Sequence, residues 1–325
     1  MGADFRVGPT VAGRMFNMLR LTWILIFASL SLADDEVKKA PEVDVGAVLR
    51  KSKPFAKKCA ALRIRFAKGV VRAEGEVAYR GGGPCEYLIN IYPAKSHETV
   101  VLLDAGIVPE KQDARNSLEG YAKTLNNALM AAGFKRGKPF AWNDETGEVF
   151  PPSGDAVHIY VEWKDPTSGE AKRALMSDWL WNFRTTHTMQ PDFVYAGSTW
   201  IEHDGKKYFA ADLDGLLVAV LNNASALVDN REDGSLDNGV YEAIPLRMPP
   251  LATRVVVVFS KTKLDGCEKY EPLKLPPELV KARAEYLAQK AKEKKEGKSA
   301  ADARKSLEKR REAEERAKAK EKKAK

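Results

Sequence analysis

From Val71 to Arg80 the chain alternates, with Val71, Ala73, Val77 and Tyr79 on one side and Arg72, Glu74, Glu76 and Arg80 on the other. Successive side chains of a strand point to opposite faces, so this period of two predicts a strand with one face buried and the other in water. Gly81-Gly82-Gly83-Pro84 then breaks the run, and Tyr87, Ile89 and Ile91 restart it on what reads as the partner strand of a hairpin. Thr99 to Leu103 is apolar almost throughout and predicts a more central strand. Val157, Ile159, Val161 and Trp163 alternate with His158, Tyr160 and Glu162, and Asp165-Pro166-Thr167-Ser168-Gly169 turns the chain into a second strand at 171–176. Asp204-Gly205 suits the positive backbone angles of a tight primed turn, which predicts a hairpin between 199–203 and 206–210. The runs 216–221 and 255–259 read as interior strands.

Between Asn116 and Gly133 the period changes to that of a helix, with Leu118, Ala122, Leu125, Leu129 and Ala132 on one stripe. Asn116 is placed to cap it, with Glu119 three residues on, and Gly133 supplies a left-handed stop. Ser177-Asp178 can cap a short helix carrying Trp179, Leu180 and Phe183, and 134–155 reads as a long loop. The expected fold class is α+β: a largely antiparallel sheet built from hairpins, one main packed helix, and a charged helical tail at the C-terminus.

Composition matters mainly through where the charge lies. The formal net charge is +8, and residues 278–325 alone hold 18 Lys and Arg against 10 Asp and Glu, a surplus of the same size. The basic character is therefore a property of the tail, and a nucleic-acid-binding fold with a broad basic face is not indicated. Leu307 is the last large aliphatic residue, so sustained coiled-coil heptads are missing, and opposite-charge pairs such as Glu308–Arg311 suit a solvated helix. Two readings stand for 278–325: a tether to an anionic polymer, and a merely solvated tail.

At the other end, Arg6, Arg14 and Arg20 precede an uncharged apolar run from Leu21 to Leu32. About a dozen residues fit the core of a signal peptide and fall short of the roughly 20 needed to span a bilayer. Cleavage is expected after Ala33, giving an exported chain, periplasmic or extracellular, with no transmembrane helix after processing; an uncleaved anchor is the alternative. The expected organisation is a signal peptide at 1–33, a surface lead-in at 34–58, the α+β domain at 59–275 and the Lys/Glu/Ala-rich tail at 276–325. Without leader and tail, residues 34–277 carry 32 basic and 34 acidic residues, a net charge of −2.

No glycine-rich phosphate loop, serine nucleophile elbow or paired-histidine zinc helix is present. The segment that most invites chemistry is Pro93 to Asp104, where His97 and Glu98 stand at the mouth of an apolar strand. His97 can serve as metal ligand or proton-transfer group with Glu98 as its carboxylate partner, or the two can form a structural pair. Asp212 and Asp214 can hold a cation through paired oxygens or shape a turn, and the Trp179, Trp181 and Phe183 group can line a ligand face or fill a core. In an oxidising compartment Cys59 and Cys85 can pair; the other reading makes all three cysteines small apolar residues. No cofactor is expected, because Cys59, Cys85 and Cys267 lack Cys-x-x-Cys spacing and cannot supply the four ligands of an ordinary iron–sulfur cluster.

The order of GEVAYRGGGPCEYLIN, KSHETVVLLD, MAAGFKRGKP, VHIYVEWKD, DWLWNF, FVYAGSTW and YFAADLDGLLVAVLN resembles the YdjY domain family, over roughly Cys59 to Thr262. The resemblance implies an exported bacterial domain whose biochemical role is not established. A globular core without a catalytic constellation suggests a module that binds a ligand, a protein partner or an envelope component. Some members are labelled ferredoxin-like through a separate cysteine-rich segment that this chain lacks. The site candidates it carries over are His97 and Glu98, then Ala196-Gly197-Ser198 and Asp212. Ser198 and Asp212 are the ligand-binding candidates, and His97 and Asp212 the metal candidates. A metal-dependent or redox enzyme centred on His97 and Glu98 is the alternative to a binding module.

Overall fold

The expected half-buried strand is present in the computed structural model, where Val70–Val77 alternates half-buried and buried residues along its whole length. The structure describes residues 44–273 apart from 82, 93, 104–119, 144, 204 and 233, together with scattered positions between 277 and 292. The expected signal peptide and the Asn116 cap lie outside the described residues, and the tail at 276–325 lies almost wholly outside them.

The described residues begin at Asp44, and the packed body already includes positions ahead of Cys59. Two helices, α1 (Val45–Lys51) and α2 (Lys53–Ala61), replace the expected surface lead-in. Asp44 caps the first and Ser52 the second, each accepting from a backbone N–H three residues on. Their short apolar faces leave little periodicity to read, yet Phe55 and Cys59 are buried in the main core.

The strands follow in chain order as β1 (Ile64–Ala67), β2 (Val70–Val77), β3 (Tyr87–Ile91) and β4 (Thr99–Leu103). After the helix α3 (Tyr121–Ala131) come β5 (Ala141–Trp142), β6 (Val149–Phe150), β7 (His158–Lys164), β8 (Ala171–Leu175), β9 (Leu180–Asn182), β10 (His187–Thr188) and β11 (Phe193–Tyr195). The last group is β12 (Trp200–His203), β13 (Lys206–Phe209), the single-turn helix α4 (Ala210–Asp214), β14 (Leu216–Ala219), β15 (Val228–Asn230), β16 (Tyr241–Ala243) and β17 (Arg254–Ser260). The main sheet runs β11-β15-β14-β3-β4-β2-β17-β7-β8, with β1 beside β2.

This sheet is mixed. The hairpins β7–β8 and β12–β13 are as expected, but β2 and β3 are not hairpin partners. β4 is inserted between them, antiparallel to β2 and parallel to β3. Gly81 to Pro84 therefore ends β2 without turning it back onto itself. The expected loop at 134–155 contains the small β5–β6 hairpin, and the short helix expected after Ser177 is a 3-10 turn, Met176–Trp179, leading into β9. The sheet also curls toward closure. Ala156 bridges Val194 on β11, Val157 N–H donates to Phe193 O and Tyr195 N–H to Asp155 O, so the residues just before β7 cover the far edge of the order.

Helix α3 has Tyr121, Ala122, Leu125, Ala128 and Leu129 fully buried, and Gly133 follows it at φ +92° as expected. Side chains from other elements serve both its ends. Asp212 Oδ1 accepts from Lys123 N–H at 3.2 Å, and Arg50 Nη1 donates to Ala131 O at 2.9 Å. α1 crosses so close to α3 that a Cβ on Gly46 would stand 2.4 Å from Met130 O. Among the described residues no helix is long and apolar enough to cross a membrane.

Candidate functional site

β3 and β14 are antiparallel neighbours, and each is followed by its own parallel partner on the outside, β4 and β15. Parallel strands usually require a connection of a dozen or more residues. Here residues 92–98 and 220–227 suffice, because the strands are only five and four residues long. Seven linking residues reach about 23 Å at full extension, more than the roughly 17 Å of the strand to be retraced. Two tight crossovers thus stand on either side of the β3–β14 pair, and Tyr87, Leu216, Ala219 and Ala226 form a small apolar cluster apart from the main core.

His97 and Glu98 belong to the first crossover, in a 3-10 turn from Ser96 to Glu98 that follows Lys95 in the left-handed region at φ 44°. The turn resolves the conflict posed by two adjacent polar residues at a strand mouth, since it brings His97 Nε2 within 3.3 Å of Glu98 Oε1. His97 is largely exposed, with 76% of its side chain accessible, while Glu98 is about one-third exposed. The crossover is anchored beneath by Asn90, whose Nδ2 donates to Thr99 Oγ1 at 2.8 Å; that hydroxyl donates to Lys95 O at 2.7 Å.

The two crossovers meet at Tyr87. Lys95 Nζ donates to the Tyr87 hydroxyl at 2.9 Å, and Asn223 bonds the same hydroxyl from the second crossover. Glu86 accepts from Asn238 Nδ2 at 2.6 Å, lies 3.8 Å from Lys95 Nζ and stands beside the Glu98 carboxylate. Burial pushes Glu86 above the ordinary carboxylate range, and the Glu98 charge adds to it. Burial works against the Lys95 charge, but the Tyr87 hydroxyl and the Glu86 and Glu98 carboxylates together outweigh it and hold its pKa above normal. Deeper in, Asp229 is fully buried and accepts from Asn222 Nδ2 at 2.9 Å, Asn223 N–H at 3.2 Å and Asn230 N–H at 2.8 Å. Burial outweighs these donors and pushes its carboxyl up to about 7.

The second-tier candidates lie away from the His97–Glu98 rim, and Ser198 is tied to the second crossover. Ser198, fully buried at φ 59°, donates through Oγ to Ser225 O at 2.7 Å and accepts from Ala211 N–H at 3.2 Å. Arg136 lies across Gly197, where a Cβ would approach it to 2.4 Å, and donates to Ser198 O. Asp212 is engaged at the start of α3, and burial raises its pKa against the pull of the Ala122 and Lys123 amides. Both hold the fold in place. Asp212→Ala is expected to cost about 1 kcal/mol in urea denaturation, the usual value of a lost helix cap; an unchanged midpoint would refute this role.

Among the described residues no three His, Cys, Asp or Glu side chains are placed to hold a metal ion. Cys59, Cys85 and Cys267 are free thiols, so the Cys59–Cys85 pairing is not realised. Burial pushes Cys59 up to about 11 and Cys85 to about 12, against thiolate formation. The Trp179, Trp181 and Phe183 group divides: Trp179 is in the main core at an edge-to-face angle to Trp163, and Trp181 is buried on β9.

Sequence reading missed Glu86, Lys95, Asn223 and Asp229. The available signal was the density of Asn and Asp in LNNASALVDN, residues 221–230, between runs that otherwise read as interior strand. Residues 116–260 match the family model of the YdjY domain. No curated protein and no solved structure matches the chain. The match begins after β4, so Ser198 and Asp212 fall within it while His97 and Glu98 lie outside.

Proposed function

We propose that this chain, which carries a YdjY domain, is an exported binding module that holds a polar ligand or envelope partner where its two crossovers meet. The observation that carries this reading is the pairing of an exposed His97–Glu98 rim with an ordered network beneath it, running from Lys95 through Tyr87 and Asn223 to Asp229. Such a floor holds the rim side chains in one geometry before anything binds, which reduces the ordering cost of association. Two candidate nucleophiles support binding over covalent chemistry: the Ser198 hydroxyl is engaged on both sides and the Cys85 thiol is buried. Residues 1–33 act as the leader, and the basic surplus at 278–325 acts as a tether to an acidic envelope polymer.

The full chain is expected to leave ester, phosphomonoester and glycoside reporter substrates unhydrolysed. A reporter activity that vanishes in His97→Ala while the fold survives would overturn the binding reading in favour of an enzyme centred on His97 and Glu98. His97→Ala itself should shift stability by less than about 0.5 kcal/mol, as for other exposed positions. Mass spectrometry of the exported protein should find Asp34 at its N-terminus.

A further inference from the structure

We infer that Asn238 is a self-modification site: its side-chain amide is lost to attack by the Gly239 backbone nitrogen, and the change unfastens the turn between β15 and β16 from the start of β3. Asn238-Gly239 is the sole Asn-Gly step in the sequence, and every other asparagine is followed by a residue with a Cβ. Glycine puts no side chain in the path of the attacking nitrogen and allows the backbone angles that the attack needs. Asn238 is exposed, and both residues stand in a turn with Gly239 in the left-handed region at φ 82°.

The step needs only water. The Gly239 nitrogen forms a bond to Asn238 Cγ, the Cγ–Nδ2 bond breaks, and the proton given up by the Gly239 amide leaves with Nδ2 as ammonia. Water then opens the five-membered ring at either carbonyl, its hydroxyl going to that carbon and its proton to the ring nitrogen. Position 238 becomes aspartate or, where the main chain is rerouted through the side chain, isoaspartate. Nothing is oxidised or reduced.

The consequence follows from what the amide holds. Asn238 Nδ2 donates to Glu86 Oε1 at 2.6 Å, and the Glu86 side chain is only 13% accessible. The backbone carbonyl of Glu86 accepts from Val220 and Leu221 N–H at 2.9 and 3.1 Å, so this residue joins the turn, β3 and the second crossover. Modification replaces the donor with a carboxylate. Two carboxylates in contact with little water between them repel, and Glu98 stands close by with the same charge. Lys95 Nζ lies 3.8 Å from Glu86 and already serves the Tyr87 hydroxyl. The turn therefore gives up Glu86 and keeps its hold on the second crossover through Ser235, whose carbonyl accepts from Asn222 N–H and whose hydroxyl donates to Asn222 Oδ1.

The test is ageing of the full chain at mildly alkaline pH, followed by tryptic mass spectrometry. Cleavage after Arg231 and Arg247 releases residues 232–247, in which Asn238 is the only amide side chain, so a mass gain there has one source. This peptide is expected to convert about tenfold faster than the one holding Asn143, whose next residue has a side chain. Asn238→Asp reproduces the product directly. It should lower the thermal midpoint by about 3 °C and quicken hydrogen exchange at 220–222 several-fold. Adding Glu86→Gln sets a donor against the new acceptor and should restore most of both, a rescue that general loss of structure cannot give. Mass and exchange are read without any ligand, so the outcome is separate from what the crossovers bind. The site is refuted if the folded chain keeps its mass after the urea-unfolded chain has converted, or if Asn143 converts first. It is equally refuted if Asn238→Asp leaves the exchange unchanged or if Glu86→Gln rescues nothing.

Discussion

Trp179→Ala is expected to destabilise the protein by about 3–5 kcal/mol, the usual cost of deleting a large buried aromatic, and to lower its thermal midpoint by about 10 °C. Trp179 is fully buried, meets Trp163 with ring centroids 5.7 Å apart, and donates through Nε1 to the Tyr270 hydroxyl at 3.3 Å. Tyr270 donates in turn to Arg247 O, and Arg247 donates to Asp178 O and Glu271 O. The indole therefore packs the inner face of β7 and also fastens the segment that follows β17. Trp179→Phe keeps much of the volume and loses the bond, so it should fall well short of the alanine variant. Urea denaturation of both variants measures the difference; equal losses would assign the whole effect to the hydrogen bond and refute the packing account.

Trp179 also shows what could be read from residue order alone. A cluster of Trp and Phe near a turn is more often core than ligand surface, and Trp179 follows that expectation. β2 and β7 were legible because polar residues along one face write a period of two into the sequence, β8 because a turn precedes it, and β17 because it is a β-branched apolar run. The partner of β3 was not legible. β3 and β4 are buried on both faces, and an apolar run carries no information about its neighbour or direction. Gly81-Gly82-Gly83-Pro84 favoured a hairpin locally, and the insertion of β4 overrode it. The site followed the same division: His97 and Glu98 stood out because packing does not require them, while Asp229 and Asn223 were hidden because their partners come from a crossover that only the fold assembles.

Asp229 should make stability depend on pH in the sense opposite to the exposed carboxylates. Its folded-state pKa of about 7 lies above the ordinary value near 3.8, so the folded protein holds the proton more tightly than the unfolded chain. The stabilisation from this group is therefore fully present below about pH 4 and is lost as pH rises through 7, by an amount on the order of 4 kcal/mol. Asp165 works the other way. Backbone amides of Ser168 and Thr167 hold it down to about 2, so its contribution is present above the unfolded pKa and is lost as acid titrates the folded group. The two effects overlap in any single stability curve, and a difference measurement separates them. In Asp229→Asn the group no longer titrates, and the amide loses part of the three-donor set that both carboxylate oxygens accept. The variant is expected to be less stable than the parent at pH 5, with the gap narrowing by a few kcal/mol by pH 8, where the parent carries a buried charge. A gap independent of pH would show that Asp229 does not titrate in this range. Because Asp229 accepts from Asn223, which also bonds Tyr87, the same titration should loosen the second crossover, and hydrogen exchange at residues 220–227 should quicken over the interval in which the gap closes.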